Sequence, residues 1–205
     1  MILYGRDMSP FARRVAIWCD LQGREVERRQ LLVAGPQWEE IKAVNPLGRV
    51  PALVLDDGEV LVETAAIIDH LEETAPEEAR LLPAGGAERR RTLQDIAYAT
   101  STAEKIVALV YDKVRRPEEF HYPAWIERLE GQIRAGIQVL EGRVPEAGWL
   151  SRTDQPMGGD IAVAIAGEMV EVVFPDLDVG DTPMLDRLVA DMRGLPAFAE
   201  TRPKP

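Results

Sequence analysis

The sequence predicts a small α/β domain followed by an all-helical domain. Strand and helix signals alternate over the first 75 or so residues, and no convincing strand signal appears after residue 87. Between the two parts, PEEARLLPAGGA (residues 76–87) holds two prolines and two glycines and reads as a linker. The chain is accordingly divided into residues 1–78 and 79–205, with the order β-α-β-α-β-β-α in the first part.

Each element has a local cause. Ile2-Leu3-Tyr4 is a short apolar run ended by Gly5. Ser9-Pro10 opens a helix, because Ser is a favoured N-cap and Pro fits the first turn, where its missing N–H would be unpaired anyway. Phe11, Val15 and Trp18 then share one face, and Gly23 ends the helix. Residues 25–30 suit a second strand and residues 37–44 a short helix, with Pro46 and Gly48 as breakers. Ala52 to Leu55, then Asp56-Asp57-Gly58, then Val60 to Val62 read as a hairpin with a tight acidic-Gly turn. Residues 63–74 place Ile67, Ile68 and Leu71 at helical spacing. Helices follow over 87–115, 125–143, 160–174, 183–193 and 197–201. The third of these is apolar on nearly every side, which predicts a helix at the centre of its domain.

Composition narrows the function. The 205 residues are 46% apolar and 29% charged, enough for a real core. The net charge is −11, of which residues 1–80 carry −6. The acidity is spread along the chain, and the one basic run, Arg89-Arg90-Arg91, is too short for a phosphate-binding face. No nucleic-acid partner is expected. A single cysteine excludes a disulfide scaffold and an all-cysteine metal site. His70 and His121 stand alone, so no metal is expected. No stretch approaches the ~20 apolar residues that span a bilayer. The opening MILYGRDMSP lacks a basic stretch followed by an apolar one, so the expectation is a cytoplasmic protein with no membrane partner.

Three places carry candidate chemistry, and each has two readings. Ser9 at a helix start either caps the helix or donates a hydrogen bond to an anion at the electropositive helix end. Val50-Pro51 before a strand is either an ordinary strand entrance or a cis bond, which would leave the Val50 backbone free to pair with an extended ligand. Glu63-Thr64 either begins a helix structurally or holds an amino-acid head group, with Glu63 on the ammonium and Thr64 on the carboxylate. Cys19, inside the first helix beside Trp18, reads as a buried apolar residue rather than a nucleophile.

Four segments together resemble the glutathione S-transferase family: SPFARRV (9–15), NPLGRVPAL (45–53), ETAAIIDHLEE (63–73) and the WL…GGDIAVA region (149–164). They fall in the family's order and spacing. The resemblance implies a thioredoxin-like N-terminal domain, an all-helical C-terminal domain, a homodimer, and glutathione as co-substrate. It selects the second reading at all three places. Ser9 matches the serine of the serine-type classes (theta, zeta, phi), whose hydroxyl donates to the glutathione sulfur. Val50, before the cis-proline Pro51, matches the residue whose backbone pairs with the cysteinyl part. Glu63 and Thr64 match the pair that holds the γ-glutamyl end. Phe11, Arg49 and Gln37 fall at or near positions that contact the peptide. Met8, Tyr98, Thr102 and Tyr111 are candidates for the wall of an acceptor pocket, and each also reads as simply packed or solvent-facing.

Two departures stand out. The family places a Ser or Thr three residues before the Asp that opens its central helix, as a capping box; here Met157 precedes Asp160. The Pro-Phe-Ala after Ser9 resembles classes that use cysteine at that place. The implied function is conjugation of glutathione thiolate to small electrophiles. A zeta-like glutathione-dependent isomerase or dehalogenase is the alternative, and a non-catalytic binding module the reading from a different class.

Overall fold

The computed structural model describes residues 1–203. The first part runs β1 (Ile2–Tyr4), α1 (Pro10–Leu21), β2 (Glu27–Arg29), α2 (Pro36–Val44), β3 (Ala52–Val54), β4 (Val60–Val62) and α3 (Thr64–Glu73), in the order the sequence predicts. A 3₁₀ turn at Glu77–Ala79 is followed by α4 (Gly86–Val110), α5 (Pro123–Glu141), α6 (Gly158–Val173), α7 (Pro183–Arg193) and α8 (Pro196–Glu200). By internal contacts the chain forms two compact units. One is Met1–Leu82 together with residues 195–203; the other is Pro83–Gly194. The helix expected over 197–201 therefore packs with the α/β unit, although it follows the helical unit in the chain.

In the first unit the sheet order is β2-β1-β3-β4, with β1 parallel to β2 and the other pairs antiparallel. The β3–β4 turn closes as predicted: Gly58 takes φ 91°, and Asp57 accepts the Glu59 N–H at 3.0 Å. Leu3, Val15, Ile17, Trp18, Ile41, Leu53, Ile67 and Leu71 are fully buried. Set into this core is a carboxylate. Glu72 Oε1 accepts the Trp18 indole N–H at 2.8 Å, the Gln22 amide at 2.8 Å and the Leu81 N–H at 3.0 Å; Oε2 accepts the Leu82 N–H at 2.9 Å. Glu72 thus ties α1 and α3 to the chain that leaves the unit. Cys19 is fully buried, and burial pushes its thiol up to about 11, which confirms an inert packing role.

In the helical unit α4 packs against both α5 and α6. Gly136 allows the α4–α5 approach, since a Cβ there would stand 2.2 Å from Thr102 Oγ1. Thr102 is buried and donates to the Tyr98 carbonyl at 2.9 Å. It is packed, one of the two readings open to it. Tyr98 and Tyr111 are exposed. The helix expected over 87–115 ends at Val110. A π-helical turn, Tyr111–Arg115, follows and is closed by Arg116 N–H on the Tyr111 carbonyl at 3.0 Å. Pro117 holds Arg116 extended and prevents the helix from continuing.

α6 is the central helix the apolar run predicts: Ile161, Val163, Ala164 and Ala166 are fully buried. Glu168 on the same helix is also fully buried and pairs with Arg193 of α7 at 2.7 Å. Met157 supplies no hydroxyl, yet Asp160 closes on the Met157 backbone as in a capping box. Asp160 accepts the Met157 N–H at 3.0 Å, and also the Leu150 N–H at 2.7 Å and the Ser151 hydroxyl at 3.3 Å. A hydroxyl therefore reaches Asp160 from nine residues upstream rather than three. Burial raises the Asp160 carboxyl above its ordinary value, and these hydrogen bonds oppose the shift.

Candidate functional site

The sheet register gathers the candidate residues. Ala52 pairs with Tyr4 on one side and Val62 on the other, so Tyr4, Ala52 and Val62 form one row across the sheet. The residues next to that row, Gly5, Pro51 and Glu63, leave at the same end. Three loops far apart in sequence are thereby brought to one edge of the first unit.

Gly5 makes the approach close. At φ 132° it adopts a backbone that favours glycine, and a Cβ there would stand 2.6 Å from Ala12 Cβ and 3.1 Å from Val50 Cβ. The β1–α1 loop, the first turn of α1 and the loop before β3 are thus in contact. The sequence reading did not single out Gly5, which looked like a simple strand terminator.

Ser9 is half-buried at the N-cap of α1, with φ −83° and ψ 115°. Its Oγ accepts the Ala12 N–H at 3.3 Å. A hydroxyl accepts through its lone pairs and donates through its proton. Capping and donation are therefore compatible, and among the described residues the Ser9 proton has no acceptor. Phe11 is half-buried in the same first turn.

Val50–Pro51 is cis. Pro51 is buried and Val50 half-buried, and no other described residue hydrogen-bonds to the Val50 backbone. Asn45, which is buried, shapes this loop: its Nδ2 donates to the Arg49 carbonyl at 2.9 Å and its Oδ1 accepts the Leu47 N–H at 3.1 Å. The Asn was visible in NPLGRVPAL, but its part in bracing the loop was not.

Glu63 takes φ 67° and ψ 133°, a backbone that L-residues rarely adopt and that costs about 1–3 kcal/mol. Its side chain makes no cap to α3 and is exposed, pairing with Arg49 at 3.4 Å. Thr64, the first residue of α3, is buried. Arg49 is also exposed, so the pair is weak. Gln37 shares no hydrogen bond with these described residues. It is exposed at the start of α2, and its Oε1 is engaged by the Leu32 N–H at 2.7 Å. Met8 is half-buried in the loop before Ser9.

A glutathione S-transferase N-terminal domain model matches residues 3–79. A maleylacetoacetate isomerase of Pseudomonas aeruginosa is 32% identical over 78% of this chain and 74% of its own length. The chain belongs to the glutathione S-transferase family. Within the family, a probable maleylacetoacetate isomerase of Vibrio cholerae is 29% identical over 100% of this chain and 96% of its own. A glutathione S-transferase from Methylobacillus flagellatus KT, solved with glutathione bound, is 27% identical with a TM-score of 0.89 and 99% coverage of both chains. The thioredoxin-like and helical parts of this glutathione S-transferase family member are those the resemblance implied. Among its described residues, no group of three or more His, Cys, Asp or Glu stands together as a metal site, and no helix is long and apolar enough to cross a membrane.

Proposed function

We propose that the chain binds glutathione at the edge formed by Ser9, Val50 and Glu63-Thr64 and adds its thiolate to small electrophilic carbon centres. The observation that carries this reading is the uncommitted Ser9 proton at the N-terminus of α1, beside a Val50 backbone with no internal partner. A cysteine thiol has a pKa of about 8.5, so only a small fraction is ionised at neutral pH. A hydroxyl donor and the positive end of α1 both favour the charged form.

In this arrangement the Val50 N–H and C=O pair with the cysteinyl unit of the tripeptide as a strand would. Glu63 receives the γ-glutamyl ammonium and Thr64 the carboxylate. Phe11 and Arg49 border the peptide, and Gln37, whose amide oxygen already accepts the Leu32 N–H, offers it its NH2 group. A homodimer completes the reading by family resemblance.

The two isomerase relatives favour a second outcome of the same first step. Addition of the thiolate to a conjugated cis double bond leaves a single bond that rotates. Expulsion of the thiolate then returns the trans isomer and free glutathione. Addition to an aryl or alkyl halide instead expels halide and keeps the thioether.

One experiment separates these outcomes. The protein is incubated with glutathione and, in parallel, an activated aryl halide and a cis-enone diacid. Turnover of the halide supports conjugation, and cis–trans conversion without loss of glutathione supports isomerisation. Absence of glutathione binding by calorimetry at millimolar ligand overturns the reading.

Glu63 offers a sharper signature. Glu63→Gly relieves the φ 67° backbone but raises chain entropy in the unfolded state. The melting temperature is expected to hold or rise, by up to about 3 °C. Glutathione Kd should rise about tenfold as the charged contact is lost. A lower melting temperature with unchanged Kd removes Glu63 from the site.

A further inference from the structure

Residues 195–203 pack in the same unit as the candidate site, and α8 lies against α1. Arg13 joins the two. It sits in the first turn of α1, and its backbone N–H donates to the Ser9 carbonyl at 2.9 Å. Its side chain, 1% exposed, runs to α8 and its C-terminal cap. Nε donates to Thr201 Oγ1 at 3.2 Å, and Nη2 donates to the Phe198 carbonyl at 3.1 Å. The guanidinium carbon lies 4.1 Å from the centre of the Phe198 ring. Phe198 and Thr201 are themselves buried, and the Thr201 hydroxyl donates to the Ala197 carbonyl at 2.8 Å, which leaves its lone pairs for Arg13.

A buried guanidinium is costly unless its donors are met, so these contacts hold Arg13 tightly. Its planar fork suits two separated acceptors and a ring face, which an ammonium does not. The Gly5–Ala12 contact supports the same turn at a different residue. Beside the packing of α1 against α3 through its buried face, the two supports restrain the rotation of its first turn, next to Ser9. A side-chain tip roughly 5 Å from a helix axis moves nearly 1 Å for a rotation of about 10°. Displacement by that much is enough to lose a catalytic hydrogen bond.

We propose that Arg13 is a positioning residue for Ser9, and that Phe198 and Thr201, through Arg13, help aim the serine hydroxyl at the bound thiol. The inference rests on the reading of Ser9 as the thiolate donor. It makes α8 and its capping Thr201 part of the support of the catalytic serine without any contact to substrate.

The test uses the full chain carrying Thr201→Val, Thr201→Ser, Phe198→Leu or Ser9→Ala. The ionisation of bound glutathione is followed by thiolate absorbance against pH, with Kd and melting temperature measured in parallel. Thr201→Val and Phe198→Leu are expected to raise the bound thiol's pKa by about half a unit and to lower kcat about threefold at neutral pH. Glutathione Kd should stay within about twofold, and Thr201→Ser should restore the wild-type pKa. A melting temperature that falls while the bound thiol's pKa stays at the wild-type value overturns the inference, provided Ser9→Ala raises it. An unchanged pKa in Ser9→Ala overturns the thiolate-donor reading, and this inference with it.

Discussion

Ser9→Ala is expected to lower the rate of thiolate addition at neutral pH at least tenfold, with glutathione affinity nearly intact. Hydrogen bonds to a charged partner are worth roughly 1.5–3 kcal/mol, and each unit of pKa corresponds to about 1.36 kcal/mol. Loss of the hydroxyl should therefore raise the pKa of the bound thiol by one to two units. Affinity is spared because Val50, Glu63 and Thr64 carry most of the peptide contacts in the proposed site. The sign of the pH dependence follows. The deficit is largest where wild type is ionised and the variant is not, and it shrinks as pH rises past the free thiol's value of about 8.5. The folding cost is modest, because the cap that Ser9 provides is long at 3.3 Å and Ala at an N-cap costs about 1 kcal/mol. A wild-type rate at saturating glutathione and neutral pH would exclude Ser9 from the mechanism.

Glu72→Ala is expected to be the most damaging single change to the first unit. It leaves the Trp18 indole N–H, the Gln22 amide and the Leu81 and Leu82 backbone N–H groups without their acceptor. An orphaned buried donor costs about 1–3 kcal/mol. Gln22 is only half-buried and can turn to water, and a cavity the size of the lost side chain admits some relaxation. A net loss of about 4 kcal/mol remains, a large share of the 5–15 kcal/mol typical of a folded protein. For a chain of this size that lowers the melting temperature by about 10 °C. Glu72→Gln keeps one acceptor oxygen but sets an NH₂ group against an N–H donor, so its loss should be intermediate. Denaturant unfolding of both variants measures the effect, and values within about 1 kcal/mol of wild type would show that Glu72 is not a hub.

Most of the element order was legible because local signals agreed with one another. Ser9-Pro10 marks the start of α1, Asp56-Asp57-Gly58 the hairpin, and the apolar run after Asp160 the buried α6. The capping of α6 was less legible. A motif search looks three residues upstream for a hydroxyl and finds Met157, whereas the fold brings Ser151 to the carboxylate. The end of α4 was also misplaced, because helical periodicity does not distinguish an α-helix from a final π-helical turn. Glu72 and Arg13 were invisible as functional elements. A Glu in ETAAIIDHLEE and an Arg in SPFARRV look like solvated charges, and only burial shows that each is held by partners as distant as residues 18 and 201.

By itself the sequence determined which segments become strands and helices, and which residues have the chemistry to hold an anion and a peptide. Those properties depend on neighbours within a few positions along the chain. Tertiary structure alone decided that residues 5, 51 and 63 leave the sheet at one end, that the Ser9 proton is left to donate, and that a helix beyond residue 195 returns to brace α1. Each of these depends on strand register or on a buried polar group finding its partner, and pairings of that kind span up to 188 residues of sequence.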